Sequence, residues 1–386
     1  MRMRSRSAGT FRVGKNCHEG ARGIVKILLV EPYYGGSHKA WADGYVGHSA
    51  HDVRLVTLPA RFWKWRMHGG FLTLAEQVGE VVDTGWTPDV VVASSMMDVS
   101  AFAGAVRNVL PGVPIATYFH ETQFTYPLSP ADKVDLTYQM KNWASAVVSD
   151  RVIFNSEYHR SVFADQAMRF LNAFPEYKHV HRVDGVLDAS TVLPVGVELS
   201  ALSADRIDPS GAPLIVWSQR WEHDKGPDEL KAIVDLLIDR EVDFTMAMCG
   251  EVFVSVPPTF AEITDRLGDR LIHSGHAERD RYESILLEAA VVLSTAEQEF
   301  FGIAVVEAIA AGAHPVLPNR LVYPERIEAI GADPSTSLFK DPAEAATIIE
   351  QALTSDTDPS LRTATAQYGW KKVAPAYDEV LASLTS

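Results

Sequence analysis

Apolar runs of six to nine residues alternate with helical patterns along the chain, and this series occurs twice. Most runs end in a polar or glycine-bearing loop, which is typical of parallel strands buried on both faces. The first series is IVKILLVE (24–31), DVRLVTLP (52–59), PDVVVASS (88–95), VPIATYFHE (113–121) and RVIFNS (151–156). The second is PLIVWSQR (213–220), FTMAMCGE (244–251), RLIHSGH (270–276), AAVVLSTA (289–296) and AHPVLP (313–318). The pattern predicts an α/β protein with two doubly wound domains.

The length of 386 residues exceeds what one hydrophobic core usually organises, in agreement with two domains. We predict an N-terminal Rossmann-like domain over 24–197, a Ser/Asp/Pro-rich linker over 198–212 and a C-terminal Rossmann-like domain over 213–367. Residues 368–386 predict an amphipathic helix that packs back across the domain junction. Residues 1–23 are basic and show no periodicity, so we expect a disordered leader there.

Charge is distributed unevenly between the two halves. Residues 1–200 hold 20 Lys and Arg against 19 Asp and Glu, whereas residues 201–386 hold 15 against 31. The net charge of −15 therefore resides in the second half. A polyanionic partner would meet the N-terminal domain, through local patches.

The remaining composition indicates a cytoplasmic protein with no membrane partner. No apolar run reaches the roughly 18 residues needed to span a bilayer. The two cysteines, Cys17 and Cys249, are far apart and have no metal-ligand spacing, which suits a reducing compartment.

The segment EQEFFGIAVVEAIAAGAHPVLP (297–318) carries the clearest chemistry, with Glu299 and Glu307 on either side of a Phe-Gly turn that opens an apolar helix. The preceding strand ends here, where open α/β sheets bind ligands. Backbone N–H groups at a helix start bind anions without a metal, so we expect residues 301–304, including Phe301, Gly302 and Ile303, to hold a diphosphate. Glu307 would accept hydrogen bonds from ribose hydroxyls, and Glu299 from hydroxyls of the sugar. Ordinary helix-end charges are the alternative explanation.

Two doubly wound domains with this glutamate pair resemble the GT-B glycosyltransferases, in particular the large retaining family that uses nucleotide sugars. The resemblance implies that the two domains face each other across a cleft, with the acceptor bound by the N-terminal domain and the nucleotide sugar by the C-terminal domain. It also implies that Arg220 and Lys225, in WSQRWEHDKGPDEL, face the leaving diphosphate and that His120 lies near the donor sugar. Gly35 and Gly36 would permit close backbone approach to the diphosphate or acceptor.

Several longer strings narrow the resemblance. They are YYGGSHKAW, LPARFWKWR, YFHETQFTYP, VIFNSEYHR, WSQRWEHDK, EFFGIAVVEA and LVYPE, and they span residues 24–326. Together they are similar to tRNA-queuosine mannosyltransferases. The resemblance implies transfer of mannose from GDP-mannose, with retention, to a cyclopentene hydroxyl of queuosine at the tRNA wobble position. The basic leader and the lack of a long insertion before WSQRWEHDK depart from the family pattern. Neither departure affects the residues of the predicted site.

The string RFWKWRMH (61–68) predicts a tRNA-binding segment, because cations alternate there with rings on which an unstacked base could lie. The residues concerned are Arg61, Trp63, Lys64, Trp65 and Arg66. A half-buried loop with aromatic side chains in the core is the alternative. The string YKHVHR (177–182) is a second candidate.

Three other functions stay open at this point. The same donor half could serve a lipid, glycan or small-metabolite acceptor. A sugar-nucleotide epimerase would need an acid/base pair, for which His120 and Glu121 are candidates. A catalytically silent tRNA-binding protein would have no need of both glutamates and both cations. We expect no metal cofactor, and no carboxylate nucleophile stands out.

Overall fold

The computed structural model describes residues 23–125, 135–207, 211–252, 256–355 and 357–385. The expected leader therefore lies outside the described residues, apart from Gly23, as do the last two residues of the string YFHETQFTYP. No helix within these ranges is both long and apolar enough to cross a membrane.

The described strands form two parallel sheets of six strands each. The first contains β1 (Lys26–Tyr34), β2 (Asp52–Pro59), β3 (Val90–Ser94), β4 (Ile115–Phe119), β5 (Arg151–Phe154) and β6 (Ser190–Val192), in the order β2-β1-β3-β4-β5-β6. The second contains β7 (Leu214–Ser218), β8 (Thr245–Cys249), β9 (Leu271–Gly275), β10 (Ala289–Leu293), β11 (His314–Pro318) and β12 (Leu338–Phe339), in the order β12-β11-β10-β7-β8-β9.

Helices connect the strands of both sheets. In the first half they are α1 (Gly36–His48), α2 (Trp63–Asp83), α3 (Val99–Val106), α4 (Leu136–Val148), α5 (Glu157–Asn172) and α6 (Arg182–Asp188). In the second half they are α7 (Pro227–Asp239), α8 (Thr259–Leu267), α9 (Arg279–Glu288), α10 (Ile303–Ala311), α11 (Tyr323–Ile330), α12 (Pro334–Ser337), α13 (Pro342–Leu353), α14 (Pro359–Thr365) and α15 (Trp370–Ala382).

The predicted α/β class with two doubly wound sheets is confirmed, and each predicted apolar run contains one strand. Two strands were missed, β6 and β12, because segments of three and two residues are too short to show a period. Strand β1 continues past Glu31, the last residue of the predicted run, to Tyr34, so that this charged residue lies inside the strand rather than at its end.

Burial explains the continuous apolar runs. In β1, Leu28 and Val30 pack into the core shared with α2 and α3, whereas Ile27 and Leu29 face the core shared with α1. Successive side chains of a strand point to opposite faces, so a sheet covered on both sides needs apolar residues at every position.

The last helix, α15, packs against α1 of the first sheet's domain. The Trp370 ring occupies the space next to Gly44 and Gly196, where an added Cβ would come within 2.0 and 2.3 Å of the ring. Asp378 accepts hydrogen bonds from the Tyr45 hydroxyl at 2.8 Å and from the Ala50 N–H at 2.9 Å. The C-terminal helix thus links the two halves.

A second set of contacts joins the halves beside the cleft. The Ser156 hydroxyl donates to the Phe300 carbonyl at 2.8 Å. Glu325 of α11 accepts from the N–H groups of Glu157 and Tyr158 at 3.3 and 2.8 Å, and so caps helix α5 from the other half. These contacts hold the loop after β10 against the first domain.

Candidate active site

The loop after β10 is folded around the carboxylate of Glu299. Its Oε1 accepts from the N–H groups of Phe300, Phe301 and Gly302 at 3.1, 3.2 and 3.0 Å. The binding of a diphosphate by the N–H groups of Phe301 and Gly302 stays a prediction, and in this structure Glu299 engages both groups. Gly302 has φ of +83°, the left-handed conformation that glycine adopts readily, and Ile303 then starts α10.

Lys225 lies at the base of the same site. Its Nζ donates to the Gln298 carbonyl at 2.8 Å and lies 3.0 Å from Asp224 Oδ2 and 3.8 Å from Glu299 Oε2. The side chain is only 9% exposed. A buried ammonium held by two carboxylates and a carbonyl is a fixed positive charge.

Arg220 is more exposed than Lys225, at 44% of its side chain. It forms an ion pair of 3.0 Å with Glu222 and lies 3.9 Å from Asp224. Gly250, at the end of β8, allows the β7 loop to pass close by, because a Cβ there would lie 1.8 Å from the Gln219 carbonyl oxygen. The structure therefore brings Arg220 and Lys225 to one end of the second sheet, on either side of Asp224.

Glu307 lies one turn into α10 and is largely buried. Arg279 donates to its Oε1 at 2.8 Å and the Tyr282 hydroxyl to its Oε2 at 3.2 Å. Burial raises the pKa of Glu307, and Arg279 opposes that effect. Neither α9 residue was predicted, because only the fold brings a helix 25 residues or more away in sequence against this carboxylate.

A cavity of about 350 Å³ opens beside this carboxylate, between the two halves. Helix α1 forms one wall with Ser37, Ala40 and Trp41, and the facing wall contains Ile303 and Glu307. Concave sites of this size with a few convergent polar groups are typical of small-ligand binding.

Gly35 and Gly36, the two glycines after β1, are explained by different features of the structure. A Cβ at Gly35 would lie 2.4 Å from the Cβ of Ala60, so Gly35 is required by packing within the domain. Gly36 has φ of +49° and open space around the position of a Cβ. Of the pair, only Gly36 offers an open surface for close approach of a ligand.

Three side chains meet beside this turn, and two of them were not singled out from the sequence. Glu31 is fully buried, and its Oε1 lies 3.2 Å from His38 Nδ1. Its Oε2 lies 3.6 Å from Nε2 of His120, the predicted histidine at the end of β4. Among the described residues, this is the cluster in which histidine and carboxylate ligand atoms come within 4.8 Å of one another. The feature of the sequence that could have indicated this cluster is a charged residue, Glu31, in the otherwise apolar run of β1.

The predicted tRNA-binding segment forms the start of α2 rather than a loop. Phe62, with φ of +55°, turns the chain into the helix, and the Phe62 and Trp65 side chains are 73% and 62% exposed. Trp63 instead packs on Tyr138 with ring centroids 5.2 Å apart. The alternative explanation, a half-buried loop with its rings in the core, therefore does not hold for Phe62 and Trp65.

The cations of this segment lie near the end of β1. Arg61 and Lys64 are exposed, and Arg66 donates to the Pro59 carbonyl at 3.2 Å. Tyr33, near the end of β1, is close enough to both Arg66 and Arg220 to interact with them electrostatically.

Comparison with known proteins identifies the family. Residues 26–197 match the sequence family described as tRNA-queuosine alpha-mannosyltransferase N-terminal, and residues 202–372 match glycosyl transferases group 1. The chain is 35% identical over 310 residues to the tRNA-queuosine alpha-mannosyltransferase of Drosophila melanogaster, which covers 78% of this chain and 81% of that protein. The chain belongs to the tRNA-queuosine alpha-mannosyltransferase family. The resemblance drawn from the sequence strings is confirmed.

Solved structures agree on the fold. The sucrose-phosphate synthase of Thermosynechococcus elongatus superposes with a TM-score of 0.70 at 14% identity, covering 93% of this chain and 99% of that chain. Anabaena HepE, solved with UDP and glucose, gives a TM-score of 0.63 at 16% identity, covering 93% and 100%. The predicted GT-B fold is confirmed, and the group 1 match makes the chain a glycosyltransferase.

Proposed function

We propose that the chain transfers mannose from GDP-mannose, with retention, to a cyclopentene hydroxyl of queuosine at the tRNA wobble position. The bond between the sugar C1 and the phosphate oxygen breaks, and a bond from C1 to the acceptor oxygen forms on the same face. The hydroxyl proton passes to the departing phosphate, and GDP leaves. Membership in the mannosyltransferase family carries this proposal most strongly.

The contacts at the end of the second sheet support a donor site there. Buried Lys225 supplies a fixed positive charge, and Arg220 adds a second one across Asp224. As the glycosidic bond breaks, negative charge grows on the diphosphate, and cations already in position stabilise it without reorganisation. Glu299, held in place by three backbone N–H groups, is oriented to accept hydrogen bonds from hydroxyls of the sugar.

Ribose and base would enter beside Glu307, in the cavity of about 350 Å³. The carboxylate there binds Arg279 and Tyr282 in this structure. Ribose hydroxyls would share or replace these contacts, since a carboxylate accepts up to about four hydrogen bonds.

The acceptor would dock on the first domain. The exposed rings of Phe62 and Trp65 beside Arg61 and Lys64 fit unstacked bases and phosphates of an anticodon loop. Arg66, in the same turn of α2, is close enough to Tyr33 for an electrostatic interaction, as is Arg220. An anticodon loop bound there would have its wobble nucleotide near the donor site. Action in the cytoplasm stays a prediction, as does the division into acceptor-binding and donor-binding domains.

The test is incubation of the purified protein with queuosine-containing tRNA and GDP-mannose, followed by mass spectrometry of the nucleosides. We expect a hexosyl-queuosine product. UDP-glucose and GDP-fucose serve as donor controls, and tRNA that lacks queuosine serves as the acceptor control. Transfer to a lipid, glycan or metabolite extract with no product on tRNA would contradict the proposed acceptor and support the alternative one.

Glu307→Ala should weaken GDP binding, whereas Glu299→Ala should mainly lower turnover. A lost hydrogen bond to a charged group costs roughly 1.5–3 kcal/mol, so each change should cost about ten- to a hundredfold. Isothermal titration with GDP and steady-state kinetics separate the two effects. Unchanged GDP affinity in Glu307→Ala would refute the ribose assignment.

EDTA should leave the transfer rate unchanged, because Arg220 and Lys225 supply the positive charge that a divalent metal supplies in other transferases. The measurement compares initial rates with and without EDTA and after addition of manganese. Loss of activity in EDTA that manganese restores would overturn the metal-free assignment.

A further inference from the structure

Glu31 is a carboxylate at zero exposure in the first sheet. The Tyr33 N–H donates to its Oε1 at 2.8 Å, and His38 Nδ1 lies 3.2 Å from the same oxygen. His120 Nε2 lies 3.6 Å from Oε2. An ionised carboxylate buried in this way is strongly destabilising unless a positive charge accompanies it. At least one of the two rings must therefore be an imidazolium, protonated on both nitrogens, when Glu31 is charged.

The two rings are too close for both to be charged at little cost. Their centroids are 4.0 Å apart at an angle of 38°. Burial alone would raise the pKa of Glu31, but His38 and His120 outweigh it and hold that pKa well below its ordinary value. Burial alone would lower the pKa of His38, but Glu31 raises it above its ordinary value, whereas burial, with His38, lowers the pKa of His120 to about 4. Of the two rings, His38 is therefore the one that holds the positive charge beside Glu31.

His38 lies where an anion is expected. It belongs to the first turn of α1, two residues after the open Gly36, at the positive end of the helix dipole. Arg220 faces it from the second half closely enough to affect its pKa. Because Nδ1 is buried against Glu31, a hydrogen bond from this ring to a ligand has to come from Nε2.

We propose that Glu31 is a positioning residue for the transfer reaction, which keeps His38 protonated and turned so that its Nε2–H binds the diphosphate of the nucleotide sugar. His38 is then a further catalytic residue, which stabilises the leaving group from the side opposite Arg220. His120 stays neutral and leaves its other ring edge for the sugar. This inference rests on the proposed donor site.

Four titratable or charged groups from three segments act on the charge of His38, and the direction of the pH effect follows from them. Glu31 and Glu121 favour the imidazolium, Arg220 and His120 disfavour it, and the Tyr33 ring contacts it at 5.9 Å. Activity should fall as the pH rises through the pKa of His38. Removing the Glu31 charge lowers that pKa, so the alkaline limb of the pH–rate profile should move to lower pH.

The direct test is NMR titration of the ligand-free protein labelled at histidine. The His38 signal is assigned by its loss in His38→Gln. We expect His38 to titrate above the ordinary histidine pKa of about 6.5, and Glu31→Gln to lower its pKa by about one unit or more. The same His38 pKa in both proteins would overturn the proposal. Because this readout needs neither donor nor acceptor, it stands even if the proposed tRNA activity fails.

Kinetics test the catalytic part. In Glu31→Gln, kcat should fall about tenfold on the alkaline side of the pH–rate profile and recover toward the wild-type value as the pH is lowered and His38 is protonated again. His38→Gln should be slow over the whole profile. Asp98→Asn is the matched control, since Asp98 is a partly buried carboxylate of the same domain that caps α3 and pairs with Lys141. A uniform loss in Glu31→Gln at all pH values would show a merely structural role.

Metal analysis tests whether Glu31, His38 and His120 bind a metal ion instead. The dialysed protein should contain no stoichiometric transition metal, and added Zn²⁺ should bind no more tightly to the wild type than to Glu31→Gln. One equivalent of zinc that is retained by the wild type and absent from Glu31→Gln would show that the three side chains are metal ligands and would overturn the proposal.

Discussion

Lys225→Met should lower kcat for mannosyl transfer by about 10²–10³-fold while changing the apparent affinity for GDP-mannose much less. Lys225 is 9% exposed and lies between Asp224 and Glu299, so its charge is fixed before the reaction begins. Such a preorganised charge acts most strongly on the transition state, and removing one comparable donor in other enzymes costs this much.

Single-turnover transfer to queuosine-containing tRNA measures the effect, with thermal unfolding as a check on the fold. The methionine keeps the apolar stem of Lys225, although it removes the positive charge beside the Asp224 carboxylate. Lys231→Met is the matched control, because Lys231 also belongs to the β7–α7 region but pairs with Asp235 on the surface. A parallel loss in both variants, or a rise in KM without a change in kcat, would contradict the role assigned to Lys225.

Alanine at Arg61, Lys64 and Arg66 together should weaken tRNA binding by more than tenfold and flatten its salt dependence. Each lost phosphate contact removes about 0.7–0.9 from the slope of log K against log salt. Phe62→Ala with Trp65→Ala should weaken binding while leaving the slope unchanged, because stacking of bases on rings is independent of counterion release.

Filter binding to queuosine-containing tRNA across a salt series measures both quantities, and titration with GDP shows that the donor site is intact. The triple variant Lys231→Ala, Arg240→Ala and Arg266→Ala is the control, since these cations pair with carboxylates in the acidic second half. Equal affinity and slope for wild type and the α2 variant would exclude this surface and direct attention to YKHVHR, where Tyr177 is 77% exposed.

Local patterns were sufficient for the strands and for the glutamate segment. A run such as AAVVL is apolar at every position because its sheet is covered on both faces, and Gly302 marks the helix start because the turn needs a positive φ. These constraints act between residues a few positions apart. They are therefore readable in a single sequence, as was the resemblance carried by the longer strings.

Which partner each polar group of the site binds depended on the tertiary structure. Glu299 engages the N–H groups expected to bind phosphate, and Arg279 reaches Glu307 from another helix. The exposure of Trp65 depends on which face of α2 packs inward.

Glu31 and His120 show most clearly why such contacts could not be predicted from the sequence. They are 89 positions apart, on β1 and after β4, and meet because parallel strands of one sheet end at the same edge. The sequence by itself determined the two sheets, the helix start at Gly302 and the family of the chain. Only the tertiary structure decided which charges neutralise one another, because pairing energies depend on distances and burial that no local pattern specifies.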